Sequence, residues 1–123
     1  MPMLGCSNMI ISTASLMESA KNHLLARGWT QHRYARRDTG EICVMKALCL
    51  ASRELTWPRQ PVYRGVAECV SALRPLVGGQ PLSVWNDCGE RTPEDVLALL
   101  DAGIALATGP SESVSRTSTN SQI

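Results

Sequence analysis

The 123-residue sequence predicts a mostly α fold, a compact four-helix domain with one short β-hairpin between the first and second helices, an α+β arrangement. Three observations predict it. Apolar residues recur at spacings of three and four in four separate stretches, which places them on one face of a helix in each. Glycine or proline closes the first three stretches. Between the first and second lies Asp38-Thr39-Gly40, a turn signal flanked by segments able to extend.

From Ser12 the pattern changes to that of a first helix. Ser15 and Glu18 have the capping-box spacing, and Thr13 is an alternative cap. Leu16, Ala20 and Leu24 form its apolar face, and it ends near Arg27. Gly28 suits a left-handed position just past that end, which lets Trp29 fold back onto Leu24. The hairpin follows, Trp29 to Ala35 paired with Glu41 to Cys43. A lone ribbon of this size is barely stable, so it is expected to lie on the helices.

Cys43 opens the second helix, with Val44 and Leu48 on its inner side, joined by Ala51 or Leu55, until Pro58 and Pro61 end it. Val62, Val66, Val70 and Leu73 mark the third, stopped by Pro75 and Gly78-Gly79. Thr92-Pro93-Glu94-Asp95 supplies a capping hydroxyl, a proline at the first helical position and two acids in the positive first turn. Val96, Leu97, Leu100, Ile104 and Ala107 are the expected buried stripe of the fourth helix. The boundaries are a loosely ordered lead-in over 1–11, one globular domain over 12–107, and a disordered tail rich in Ser and Thr over 108–123.

Composition narrows the class. With 44% hydrophobic and 19% charged residues the chain is of ordinary globular make-up, and because Phe is absent Trp29, Trp57 and Trp85 supply most of the aromatic bulk. Five cysteines, an odd number, and the lack of a leader-like amino terminus point to reduced thiols and a cytoplasmic protein. No apolar run approaches the roughly 20 residues of a membrane helix. Residues 21–64 hold nine Lys/Arg against three Asp/Glu, and residues 65–123 hold three against seven, so the middle is basic and the end acidic.

Three groups of residues are candidates for chemistry or binding. Trp85-Asn86-Asp87 reads as a docking device: Trp85 anchors the entering segment, while Asn86 and Asp87 bond nearby backbone amides before Thr92 caps the helix. Cys43 sits at a helix start, with His32 across the hairpin as a possible base for a thiol nucleophile. No metal site is expected, since Cys43 and Cys49 are six apart and the histidines nine apart, where zinc ligands pair at two to four. No cofactor motif is present either. "HRYARR" is the basic cluster with an embedded aromatic: Arg33, Arg36 and Arg37 can meet phosphates, with Tyr34 stacking on a base. Its plainer reading is a solvated ribbon whose arginines pair with the acidic fourth helix.

Two stretches, "GWTQHRYARRDTGEICVMKAL" and "VWNDCGERTPEDVLALL", resemble the DUF6197 family of small proteins from actinobacteria and their phages, over roughly residues 13 to 107. The resemblance implies a compact, mostly helical fold and an actinobacterial or phage origin, and it carries no activity. Family members tend to have Cys at the position of Thr30 and Gly at the positions of His32 and Lys46. Of a cysteine pair across the hairpin, only Cys43 remains in this chain.

The functional reading is a small non-enzymatic accessory protein that binds another protein, with Arg33, Tyr34, Arg36 and Arg37 as its binding residues. Trp29, Cys43, Trp85, Asn86, Asp87 and Thr92 are structural anchors. A nucleic-acid-binding regulator using the basic hairpin is the alternative, and a thiol-dependent enzyme the outside one.

Overall fold

The structure is a computed structural model that describes residues 11–116, with side chains described through Thr108. Five α-helices are present among the described residues: α1 (Thr13–Arg27), α2 (Val44–Thr56), α3 (Val62–Leu73), α4 (Leu82–Asn86) and α5 (Pro93–Arg116). A 3₁₀ turn, Arg74–Val77, continues α3. Residues 1–10 of the expected lead-in and 117–123 of the expected tail lie outside the described residues, and over 109–116 the backbone continues α5.

The expected four-helix count and the hairpin are both corrected. The additional helix, α4, is five residues long and begins after Pro81. No strand forms among the described residues. Between α1 and α2 there are only two isolated bridges, Trp29 to Ile42 and Ala35 to Ile42. The Asp38-Thr39-Gly40 turn is present, since Gly40 N donates to Arg36 O and Arg36 N to Glu41 O, both at 2.8 Å. The ladder stops there because His32 has φ 65° and its amide hydrogen goes to Asp87 at 2.7 Å, so the chain leaves the extended path at mid-segment.

Helix α1 starts earlier than either expected cap, one residue before Thr13 and three before Ser15: Ser12 is the N-cap, and its Oγ accepts from Ser15 N at 3.0 Å. That hydroxyl satisfies one of the free first-turn amides. At the other end Gly28 N donates to Leu24 O at 2.8 Å. Helix α1 packs against α2, α5 and α3, and so lies centrally.

Leu16, Met17, Ala20 and Leu24 of α1 meet Val44, Leu48 and Ala51 of α2, Cys69 and Leu73 of α3, and Val96, Leu99 and Leu100 of α5 in one core. Leu55 is only partly buried. The buried face of α5 is Val96, Leu99, Leu100 and Gly103; Ala107 is exposed. Gly103 marks a close helix crossing, because a Cβ there would lie 2.6 Å from Met17 Sδ and 2.7 Å from Leu73 Cδ2. Ser52 and Gly65 do the same for α2 and α3, with a Gly65 Cβ falling 2.4 Å from Ser52 Oγ. Of the three tryptophans, Trp85 is buried, Trp29 is half-buried and Trp57 is exposed.

Candidate functional site

Helix α4 ends by presenting Asn86 and Asp87 to the 29–32 segment and to the start of α2. Asn86 is 1% exposed, and its amide is fully used. Its Oδ1 accepts from Trp29 Nε1 at 2.7 Å and from Val44 N at 3.1 Å. Its Nδ2 donates to Thr30 O at 3.2 Å and to Asp87 Oδ1 at 3.0 Å. An asparagine amide offers two donor hydrogens and an acceptor with two lone pairs, so all four positions are filled.

The surrounding contacts extend this junction. Asp87 Oδ1 accepts from His32 N at 2.7 Å, and the Gln31 amide donates to the carbonyls of Asn86 and Cys88. The Arg91 guanidinium lies 3.9 Å from the Trp85 ring centroid while its Nε donates to Trp85 O at 3.0 Å. The partners of Asn86 and Asp87 are thus mainly 42 to 57 residues away in sequence rather than in a local turn before Thr92. Thr92 and Asp95 cap α5 reciprocally, with Asp95 N donating to Thr92 Oγ1 at 3.1 Å and Thr92 N to Asp95 Oδ2 at 3.0 Å.

Beside the junction is a cleft of about 230 Å³ with Cys43, His32, Asp87 and Ser83 in its lining. A thiol, an imidazole and a carboxylate therefore share one surface. His32 Nδ1 is 3.8 Å from Asp87 Oδ2, and the Asp87 carboxyl is held below its ordinary range chiefly by the His32 backbone amide. Cys43 is the N-cap of α2, its Sγ accepting from Lys46 N at 3.4 Å. Burial pushes the Cys43 thiol up, the negative Asp87 acts in the same direction, and the Lys46 and Met45 amides only partly oppose them. A nucleophilic thiol requires the reverse balance. The cleft is also smaller than the roughly 300 Å³ at which small-molecule sites begin.

The basic cluster divides into engaged and free members. Tyr34 OH donates to Cys49 Sγ at 2.8 Å, and Lys46 Nζ stands 5.0 Å from the Tyr34 ring centroid, so one ring face already holds a cation. Burial and the bond to Cys49 push the phenol up from its ordinary value. Arg36 pairs with Asp38 at 3.1 Å and lies 3.9 Å from Glu41, within its own turn rather than with α5. Arg33 and Arg37 are exposed, and their side chains have no partner among the described residues.

Two other surfaces lay outside the sequence reading. The corner joining α2 to α3 carries Arg53, Trp57, Arg59, Tyr63 and Arg64, all exposed, with Trp57 at 56% and Tyr63 at 69%. Ser52 Oγ donates to Val62 O at 2.7 Å, so residues 53 and 63–64 flank one helix crossing. The signal was visible as "RELTWPRQPVYR", with its three arginines and two aromatics. Its two prolines read first as a helix stop.

The second surface is a groove of about 390 Å³ between the end of α1 and the start of α5. Leu24, Trp29, Val96 and Leu97 contribute apolar wall, Leu25 lies along it 61% exposed, and Glu41 and Glu94 also line it. No sequence signal marks a space that two helix ends enclose together.

Fold and site define a small helical domain whose connecting loops are fixed by one buried asparagine. Residues 10–106 match DUF6197, a family of unknown function, and the chain belongs to that family. No curated protein and no solved structure matches it. No helix among the described residues is long and apolar enough to cross a membrane.

Proposed function

We propose that this chain is a non-enzymatic protein that acts by binding another protein through the α1–α5 groove. The observation that carries the reading is the groove itself. It is of ligand-binding size, apolar along Trp29 and Leu97, and bordered by the 61%-exposed Leu25, which nothing in the core requires on the surface. By contrast the Cys43 thiol and the Asp87 carboxylate near α4 are already occupied in capping α2 and fixing the 29–32 backbone. The test is proximity crosslinking in host lysate with wild type and Leu25→Asp. A partner crosslinked to wild type and lost from the variant, at unchanged circular dichroism, supports the reading; an unchanged crosslinking pattern removes it.

A second reading, nucleic-acid binding, is favoured by one observation, the α2–α3 corner, where arginines and two exposed aromatics stand together. Stacking on aromatics combined with phosphate contacts is how single strands are held without sequence readout. A salt titration of binding to an oligo-dT strand tests it, since affinity carried by phosphate contacts falls steeply with salt.

A further inference from the structure

We infer that the occupant of the α1–α5 groove is a basic amphipathic helix of the partner, with leucine-like side chains on the apolar wall and a lysine or arginine head between Glu41 and Glu94. The inference rests on the protein-binding reading above and specifies its partner.

Charge decides the sign. No Lys, Arg or His lines the groove among the described residues, whereas two carboxylates do. Glu94 makes no ion pair or side-chain hydrogen bond among the described residues, and Glu41 has only Arg36 at 3.9 Å, on the side of the turn. The helix ends do not reverse this. The carboxyl end of α1 is partially negative, and the partially positive start of α5 is met by the Asp95 carboxylate, which accepts from Thr92 N.

Shape decides the form. The groove lies between side chains of two helices, with no open strand edge beside it among the described residues, so main-chain addition to a sheet is not available and a helix laid into the groove is the fitting mode. A lysine or arginine suits its mixed character, because the aliphatic stem covers apolar wall such as Trp29 and Leu97 while the head reaches the carboxylates at the margin. Glu41 lies alongside Gly28 at the end of α1, its Cγ 3.1 Å from where a Cβ on Gly28 would stand.

The probe is a fluorescein-labelled amphipathic helical peptide of leucines and lysines, compared by anisotropy with the same peptide carrying glutamate for every lysine. Both are titrated against the full chain. The lysine peptide is expected to bind at least roughly tenfold more tightly, to weaken with salt, and to lose that preference in Glu41→Gln/Glu94→Gln. Leu25→Asp, at an exposed position that leaves folding intact, is expected to abolish its binding. Equal binding of the two peptides, or a preference that survives the double glutamine variant, overturns the basic occupant. If Leu25→Asp then still loses both peptides, the groove reading itself stands. If neither peptide binds, the inference fails, and the lysate crosslink decides the groove reading separately. A concentration-dependent dimer in sedimentation that Leu25→Asp dissolves names a second copy of the chain as the occupant and likewise overturns it.

Discussion

At the junction of α4 with the 29–32 segment, every hydrogen-bonding position of Asn86 has a protein partner. At the α2–α3 corner, the side chains of Arg53, Trp57, Tyr63 and Arg64 have none among the described residues. Both regions concentrate polar and aromatic groups in a few residues, and from sequence the junction looks the more chemical of the two. The structure assigns them opposite expected costs. Where buried polar groups are mutually satisfied, removing one strands the others; where they face water, removing one costs folding almost nothing.

The largest effect is therefore expected from Asn86→Leu. It leaves Trp29 Nε1, Val44 N and Thr30 O without the amide, and at about 1–3 kcal/mol for each buried group left unpaired the loss is on the order of 5 kcal/mol. Urea unfolding checks this, and a loss under about 1 kcal/mol would mean that water reaches the junction freely. Trp85→Ala comes next, at about 3–5 kcal/mol, for the emptied core position beneath Arg91. If that variant is as stable as wild type yet binds no partner, Trp85 belongs to a functional surface instead.

Asp87 sharpens the comparison through pH. Its folded carboxyl titrates below its ordinary value because the His32 amide and the Asn86 side chain donate to it. A depressed folded value means stabilisation that is present above the unfolded carboxylate range and lost as pH falls through the folded value. Wild-type stability should accordingly decline below about pH 4, and Asp87→Asn, less stable near neutrality, should decline less over the same interval. Parallel acid limbs in the two proteins would show that Asp87 does not link the junction to pH.

The helices built on long repeats were legible. Leu16, Ala20 and Leu24 are buried where their spacing placed them, as are Val44 and Leu48. Helix α4 was not, since five residues are too few to display a 3.6-residue period. The 29–43 segment misled for a different reason. Its turn chemistry was correct, but partners for Gln31 and His32 lie 55 to 57 residues away, and those bonds prevail over the local ladder. The same distance hid the reach of Asn86, whose bonds to Trp29 and Thr30 no short-range pattern encodes. Local rules placed the Thr92 cap correctly, whereas in α1 they fell one residue late at Thr13 and three late at Ser15, since Ser12 is the cap.

Thr92→Ala falls between the two extremes of the comparison. It removes one exposed capping hydroxyl from α5 while Asp95 retains its bond to the Thr92 amide, so a cost on the order of 1 kcal/mol is expected from denaturant unfolding. A cost above about 2 kcal/mol would make the start of α5 part of the buried junction rather than its margin.

The smallest effect is expected from the paired change Trp57→Ala and Tyr63→Ala, at 56% and 69% exposure. Neither residue contributes a side-chain hydrogen bond or an ion pair among the described residues, and Ser52 Oγ to Val62 O, which ties α2 to α3 beside them, survives the change. Stability should stay within about 0.5 kcal/mol of wild type. Because Trp29 is half-buried and Trp85 buried, Trp57 also dominates the fluorescence that acrylamide quenches, and its removal should abolish most of that quenching. An unfolding midpoint that drops as far as in Trp85→Ala would break the comparison, by showing that the corner is packed in solution and that its aromatics hold α2 and α3 together.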